Sequence, residues 1–190
     1  MKIISTSPSS IKEAIKMLRN GGIVVFPTET AYGLAADIAN KKAYAKIFKI
    51  KNRSREKSLP WIAANLAMAK KYVKFSPLAT KLAKKYWPGP LTLVLSEKKQ
   101  KGTIAIRVSS NKIAHDLSDK LGRPIVSTSA NLSGFSICYS ARSVVRQFKN
   151  QKYQPDLVLD GGRLPKQKPS TIVKIQNEKI NILRQGSIKL

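Results

Sequence analysis

The sequence predicts an α/β fold, a single domain over residues 1–190 with a twisted mixed sheet and flanking helices. Short apolar runs of strand length, such as Ile23-Val24-Val25-Phe26, recur along the chain. Between them lie segments with apolar residues at helical spacing, such as Ile11, Ile15 and Leu18. The two kinds interleave without an internal repeat, and 190 residues with a 42% apolar fraction suffice for one core.

Each element has a local reason. Ser10-Ile11-Lys12-Glu13 has capping-box spacing at the head of the first helix, which Gly21-Gly22 ends. Residues 23–26 read as a buried strand stopped by Pro27. Asn40 caps a second helix carrying Ala43, Ile47 and Ile50. An apolar run at 59–64 follows a basic loop, and helices are expected at 66–73 and 77–85, the second with Pro77 in its first turn. Trp87-Pro88-Gly89-Pro90 forms a rigid turn into a strand at 91–95, with another strand at 104–108. A capped helix over 111–121 has Gly122 just past its end, and a short strand follows at 124–127. A helix at 141–148 and strands at 157–159, 171–175 and 180–183 complete the chain. The loop 161–169, rich in Gly, Pro and Lys, is the expected mobile segment.

Composition narrows the function. No run approaches the roughly 20 apolar residues of a membrane span. Met1-Lys2-Ile3-Ile4-Ser5 meets a polar Ser/Pro segment at once, so a cytoplasmic protein without a membrane partner is expected. One cysteine, Cys138, excludes an intramolecular disulfide and a cysteine-rich metal site. The formal charge of +26 attracts polyanions, nucleic acid or nucleotide first among them. Lysines outnumber arginines about three to one and are spread along the chain, which a lysine-rich solvated surface would also produce.

The familiar catalytic patterns are missing. There is no GxxxxGK[ST] loop and no GxGxxG turn. The lone histidine, His115, lies inside a helix and reads as structural or surface, and Cys138 reads as a buried or incidental thiol. Ten acidic residues leave little room for a two-metal carboxylate site. Two clusters remain. Lys51-Asn52-Arg53-Ser54-Arg55-Glu56-Lys57 places cations at alternate positions, which an extended loop would turn to one side, suiting a polyphosphate. Ser127-Thr128-Ser129-Ala130-Asn131-Leu132-Ser133-Gly134 offers hydroxyls and an amide at a strand's end, suited to phosphate or ribose, although an ordinary Ser/Asn turn looks the same.

In order, these segments resemble the YrdC-like threonylcarbamoyl-AMP synthase family. Phe26-Pro27-Thr28-Glu29-Thr30-Ala31-Tyr32-Gly33-Leu34 is similar to that family's PTETxYGL element, and Lys51-Asn52-Arg53 to its KxR element. Trp87-Pro88-Gly89-Pro90-Leu91-Thr92, Ile106-Arg107-Val108, and Ser129-Ala130-Asn131 with Ser133-Gly134 match further motifs. Pro169-Ser170-Thr171-Ile172-Val173 and Leu183-Arg184-Gln185-Gly186 complete the set, so the resemblance covers the chain from about Ser10 to Gly186.

The resemblance implies a YrdC-like sheet with a concave basic cleft. It implies an enzyme that makes L-threonylcarbamoyladenylate and pyrophosphate from L-threonine, bicarbonate and ATP, for modification of tRNA next to the anticodon. Lys51, Arg53, Ser129 and Asn131 would face the ATP phosphates, with Lys57, Thr103 and Arg184 also on the nucleotide side. Thr30, Arg107, Ser127 and Ser170 would surround L-threonine, Arg107 suiting its carboxylate through a bidentate pair. Lys51 and Arg53 are the implied catalytic residues, together with Mg2+. No metal ligands and no general base are assigned; Glu29 is nearest the motif but fits a structural role equally well. Ser58 stands where the family often has proline, and Ile62 where longer relatives carry a threonine-contacting histidine. The chain ends just after Arg184, which implies no additional C-terminal domain. The basic composition keeps a tRNA or double-stranded RNA module as an alternative, and transient contact with the threonylcarbamoyl-transferase machinery is a further implied partnership.

Overall fold

The structure, a computed structural model, describes residues 1–54 and 58–190. Ten strands form one mixed sheet in the order β1-β8-β2-β3-β7-β4-β6-β5-β9-β10. In chain order these are β1 (Lys2–Ser5), β2 (Val24–Pro27), β3 (Tyr32–Asp37), β4 (Trp61–Ala63), β5 (Leu91–Ser96), β6 (Thr103–Val108), β7 (Ile125–Ser129), β8 (Leu157–Asp160), β9 (Thr171–Gln176) and β10 (Lys179–Arg184). The helices are α1 (Pro8–Arg19), α2 (Lys41–Lys51), α3 (Leu66–Tyr72), α4 (Pro77–Tyr86), α5 (Lys112–Leu121) and α6 (Ala141–Phe148).

Period-two alternation sorts the side chains of one half of the sheet between two cores. Val25, Leu34, Val126 and Val158 pack with Ile47 of α2 and Val144 of α6 on one face. Their neighbours Val24, Phe26, Ala35, Ile125 and Leu157 pack with Leu18 of α1 and Leu117 of α5 on the other. Strands covered on both faces carry near-continuous apolar runs. In the other half, Leu91, Leu93, Ile104, Ile106 and Val173 pack with Ala69 of α3 and Ala83 of α4. The opposite face of β5, β6 and β9 carries Thr92, Val94, Thr103, Ala105, Arg107, Ile172 and Lys174, and these line an open cavity.

The caps explain most helix limits. Asn40, Asn65, Ser76, Asn111 and Ser140 each accept a backbone N–H at the head of their helix. The first helix is a correction: Ser7 is its cap, and Ser10 closes the capping box at the third helical position. A serine can serve at either position, so spacing alone left the choice open. The strand expected at 124–127 begins and ends later, at Ile125–Ser129, because β7 pairs with β3 through Ser129. Two strands escaped the sequence reading. β1 is a short edge strand paired only with β8, and β3 is Tyr-Gly-Leu-Ala-Ala-Asp, whose alanines and glycine carry little strand propensity.

Candidate active site

The cavity, of about 630 Å3, lies at the open face of β5, β6 and β9. Its walls come from the β2–β3 turn, the end of β7, the end of β10 and the loop 161–169. The turn is held by Thr28, whose hydroxyl donates to the Ala31 carbonyl at 2.7 Å and accepts the backbone N–H groups of Thr30 and Ala31. Tyr32 anchors the loop: its hydroxyl donates to the Gly162 carbonyl at 2.7 Å and accepts the Gly161 N–H at 3.0 Å. Burial pushes that phenol up to about 12, so it remains a donor at neutral pH.

Of the expected residues, Thr30, Arg53, Thr103, Arg107, Ser127, Ser129, Ser170 and Arg184 all line this cavity. Thr103 and Arg107 are two strand periods apart on β6, hence on one face. Arg184 donates to both the carbonyl and the hydroxyl of Ser170, at 2.8 and 2.9 Å, and Thr92 donates to the same hydroxyl at 3.0 Å. Arg107 is almost fully buried and forms an ion pair with Glu29, which also accepts from Ser109. Burial and the nearby Arg184 pull the Arg107 guanidinium down to about 10, which leaves it cationic at neutral pH. Glu29 is thus engaged structurally, between Arg107 and Ser109, and is not free to act as a base.

Lys51 and Asn131 are not among the residues that line the cavity. Lys51 is the last residue of α2, only 2% exposed, and does not line the cavity. Its ammonium donates to the Ser129 carbonyl, to the Asn131 carbonyl at 2.7 Å and to the Asn131 side-chain oxygen at 3.3 Å. Burial and the Arg53 charge lower it to about 8. Asn131 in turn donates to the carbonyls of Leu132 and Phe135, at 2.9 and 2.7 Å. The Lys51 carbonyl accepts the Ser133 N–H at 2.8 Å. The helix end and the Ser129–Ser133 turn are therefore one hydrogen-bonded unit behind the cavity wall. The expected one-sided cation array in an extended loop is not formed over Lys51 and Arg53, because Lys51 is helical and Asn52 takes a left-handed conformation (φ 49°). Arg53 alone of the pair reaches the cavity, and its Nε is buried without a hydrogen-bond partner among the described residues. Lys57 lies outside the described residues.

His115 is partly exposed beside Asp116, and Cys138 is buried and free. Sequence reasoning missed Thr92, Lys174, Gln167 and Tyr32 as wall residues. Alternation could have found the first two, since Thr92 breaks the apolar run Leu91–Leu95 and Lys174 the run after Thr171; Gln167 has no local signal. Ile62 is fully buried in the core beneath α5, so its side chain is not in the cavity. Among the described residues no group of three or more His, Cys, Asp or Glu could hold a metal ion. No described helix is long and apolar enough to cross a membrane.

Comparison with known proteins bears on the family and the fold. Residues 16–186 match the model of the Sua5/YciO/YrdC family, described as telomere recombination. The threonylcarbamoyl-AMP synthase of Buchnera aphidicola is 35% identical over 176 residues, covering 86% of this chain and 98% of its own. The P. abyssi Sua5 structure complexed with L-threonine superposes with a TM-score of 0.88 at 32% identity, over 97% of this chain. The chain spans only 56% of that Sua5 chain. E. coli YciO gives a TM-score of 0.84 at 28% identity, over 97% of this chain and 93% of its own. The chain belongs to the Sua5/YciO/YrdC family.

Proposed function

We propose that the chain is a threonylcarbamoyl-AMP synthase, a nucleotidyltransferase that converts L-threonine, bicarbonate and ATP into L-threonylcarbamoyladenylate and pyrophosphate. The observation that carries this reading is the cavity. It gathers Arg53, Arg107 and Arg184 with the hydroxyls of Thr30, Ser127, Ser129 and Ser170, in a chain whose full-length relatives bear that name.

The chemistry asks for no protein nucleophile. The threonine amine, deprotonated, takes up carbon dioxide derived from bicarbonate to give a carbamate. A carbamate oxygen attacks the α-phosphorus of ATP, and the bond to the β-phosphate breaks to release pyrophosphate. Catalysis then rests on positioning and on fixed cations facing the phosphoryl oxygens. Arg53 is the cation we assign to the phosphates, beside Ser129 and Thr103, with Arg184 at the boundary of the two substrates. Thr30, Ser127, Ser170 and the Arg107–Glu29 pair are assigned to L-threonine. Lys51 and Asn131 act by holding the turn that presents Ser129. Among the described residues no group of three or more His, Cys, Asp or Glu could hold a metal ion, and Glu29 is engaged with Arg107. We assign Mg2+ to the substrate, as MgATP.

We place the enzyme in the cytoplasm, with its product passing to a transferase acting on tRNA. The test is pyrophosphate release from MgATP, with L-threonine or bicarbonate omitted in turn. Release that requires both is expected; release that needs neither, or none from folded protein, would sink the reading.

A further inference from the structure

Strand alternation turns Lys174 of β9 toward the catalytic cavity. Val173 is buried in the core under α3 and α4, and Ile175 packs against the same core. Ile172 and Lys174 therefore point the other way, and both line the cavity. Across the ladder Lys174 is opposite Val94 of β5, and Val94 is opposite Ala105 of β6. These three form one row of the cavity floor, in which the lysine alone is charged. The rows on either side carry residues already assigned to the nucleotide. One strand period along in one direction, Ser96 is opposite Thr103; one period along in the other, Arg184 is opposite Ile172. Each step is about 7 Å at the strand rise. A nucleotide held at both Thr103 and Arg184 passes over the row of Lys174.

The charges of the cavity are unequally engaged. Arg53, Arg107, Lys174 and Arg184 line it, with no carboxylate among the described lining residues. Arg107 pairs with Glu29, and Arg184 donates to the carbonyl and hydroxyl of Ser170. Lys174 forms no ion pair among the described residues. Glu178, the acid nearest to it in sequence, accepts the Leu78 N–H at 2.9 Å instead. A lysine needed only for solvation would sit as well on β10, whose side chains are exposed throughout. Lys174 instead is half-buried and shares the face of Ser170 and Ile172. An ammonium so placed, beside apolar neighbours and without an acid partner, is stabilised by an anion brought to it.

We propose that Lys174 binds the β- and γ-phosphates of ATP and stabilises the pyrophosphate that leaves. The inference rests on the synthase reading for its substrate and adds a residue that no motif of the sequence marks. Arg53 and Ser129 stand at the β7 side of the cavity, whereas β9 lies four strands away in the sheet order. The carbamate approaches from the Arg107 row, and in-line displacement sends the leaving group the opposite way, toward the row of Lys174. When the bond between the α-phosphorus and the bridging oxygen breaks, its electron pair stays on that oxygen and the pyrophosphate takes the charge. An ammonium on a flexible stem meets charge spread over several oxygens without the fixed fork of a guanidinium. Because that charge is largest as the bond breaks, the contact acts on the rate more than on substrate binding.

The test is calorimetric titration of the full chain with magnesium pyrophosphate and, separately, with AMP, alongside the rate of pyrophosphate release. Lys174→Met keeps most of the stem without the charge, and Lys174→Arg keeps the charge. Lys179→Met removes one charge from exposed β10, outside the cavity, and reads the effect of net charge alone. Lys174→Met should weaken pyrophosphate binding about tenfold or more, the effect of losing one charge-assisted contact, and leave AMP binding unchanged. Its kcat should fall while KM for L-threonine holds. Lys174→Arg should restore most of both losses, and Lys179→Met should show neither. Pyrophosphate affinity indifferent to Lys174→Met would overturn the inference, as would an equal loss for AMP or an equal loss in Lys179→Met. So would a failure of pyrophosphate to bind the unsubstituted protein. Release by the unsubstituted protein that needs neither L-threonine nor bicarbonate would sink the synthase reading instead, and the binding comparison would still decide the role of Lys174.

Discussion

Lys51 and Arg53 sit two residues apart, yet the structure gives them opposite tasks. Lys51 satisfies three buried oxygens of the Ser129–Asn131 turn, whereas Arg53 faces the cavity. Replacing Lys51 by Met strands those acceptors, and an unsatisfied buried polar group costs about 1–3 kcal/mol. Lys51→Met should therefore lower the urea midpoint as well as the rate. Arg53→Met should leave stability within about 0.5 kcal/mol while pyrophosphate release falls about a hundredfold, the scale seen when one transition-state donor is removed. Equal stability losses in the two variants would show that the division of labour is wrong. The motif made both residues visible as a pair; only the packing of the α2 C-terminus against the turn after β7 separates their roles.

At the scale of elements, the junction between β9 and the chain after β10 sets the position of Ser170. Gly186 lies so close to this crossing that an added Cβ would fall 2.1 Å from the Pro169 carbonyl oxygen and 2.6 Å from the Ser170 carbonyl carbon. Its N–H donates to the Thr171 hydroxyl at 3.1 Å. The obstruction is backbone, which cannot swing aside as a side chain can. Gly186→Ala should cost about 1–3 kcal/mol, as overpacking does. It should also displace Ser170 from Arg184, weakening L-threonine binding by calorimetry more than ATP binding. The opposite order of losses would place Ser170 on the nucleotide side. The helices were legible locally, because Asn40, Asn111 and Ser140 cap what they precede. β3 was not, since its small residues are there to let helices and neighbouring strands approach closely, a demand no local pattern expresses.

Over the whole molecule, a formal charge of +26 spread across 190 residues makes the folded state repel itself. Sodium chloride shortens the screening length from about 30 Å at 0.01 M to about 8 Å at 0.15 M. The melting temperature should therefore rise over that range, and rise further with sulfate at equal ionic strength, since excluded anions also strengthen apolar burial. A flat melting temperature would mean that the cations lie too far apart for their repulsion to matter. The same charge marks the cavity: its concave surface carries Arg53, Arg107, Lys174 and Arg184, and it has no metal-binding acid set among the described residues.

The sequence by itself determined the α/β class, most helix boundaries, the family, and which residue types gather at the cavity, because caps, periodicity and short motifs are local properties of the chain. Tertiary structure decided which of those residues face the cavity and which stand behind its wall. It also decided that Glu29 neutralises Arg107 and that Lys174 lines the same cavity as Arg53. The physical reason is the same in each case. A hydrogen bond from Lys51 to Asn131, or from Arg19 to Lys120, joins residues 80 or 101 positions apart. Only the assembled sheet and its packed helices bring such partners together.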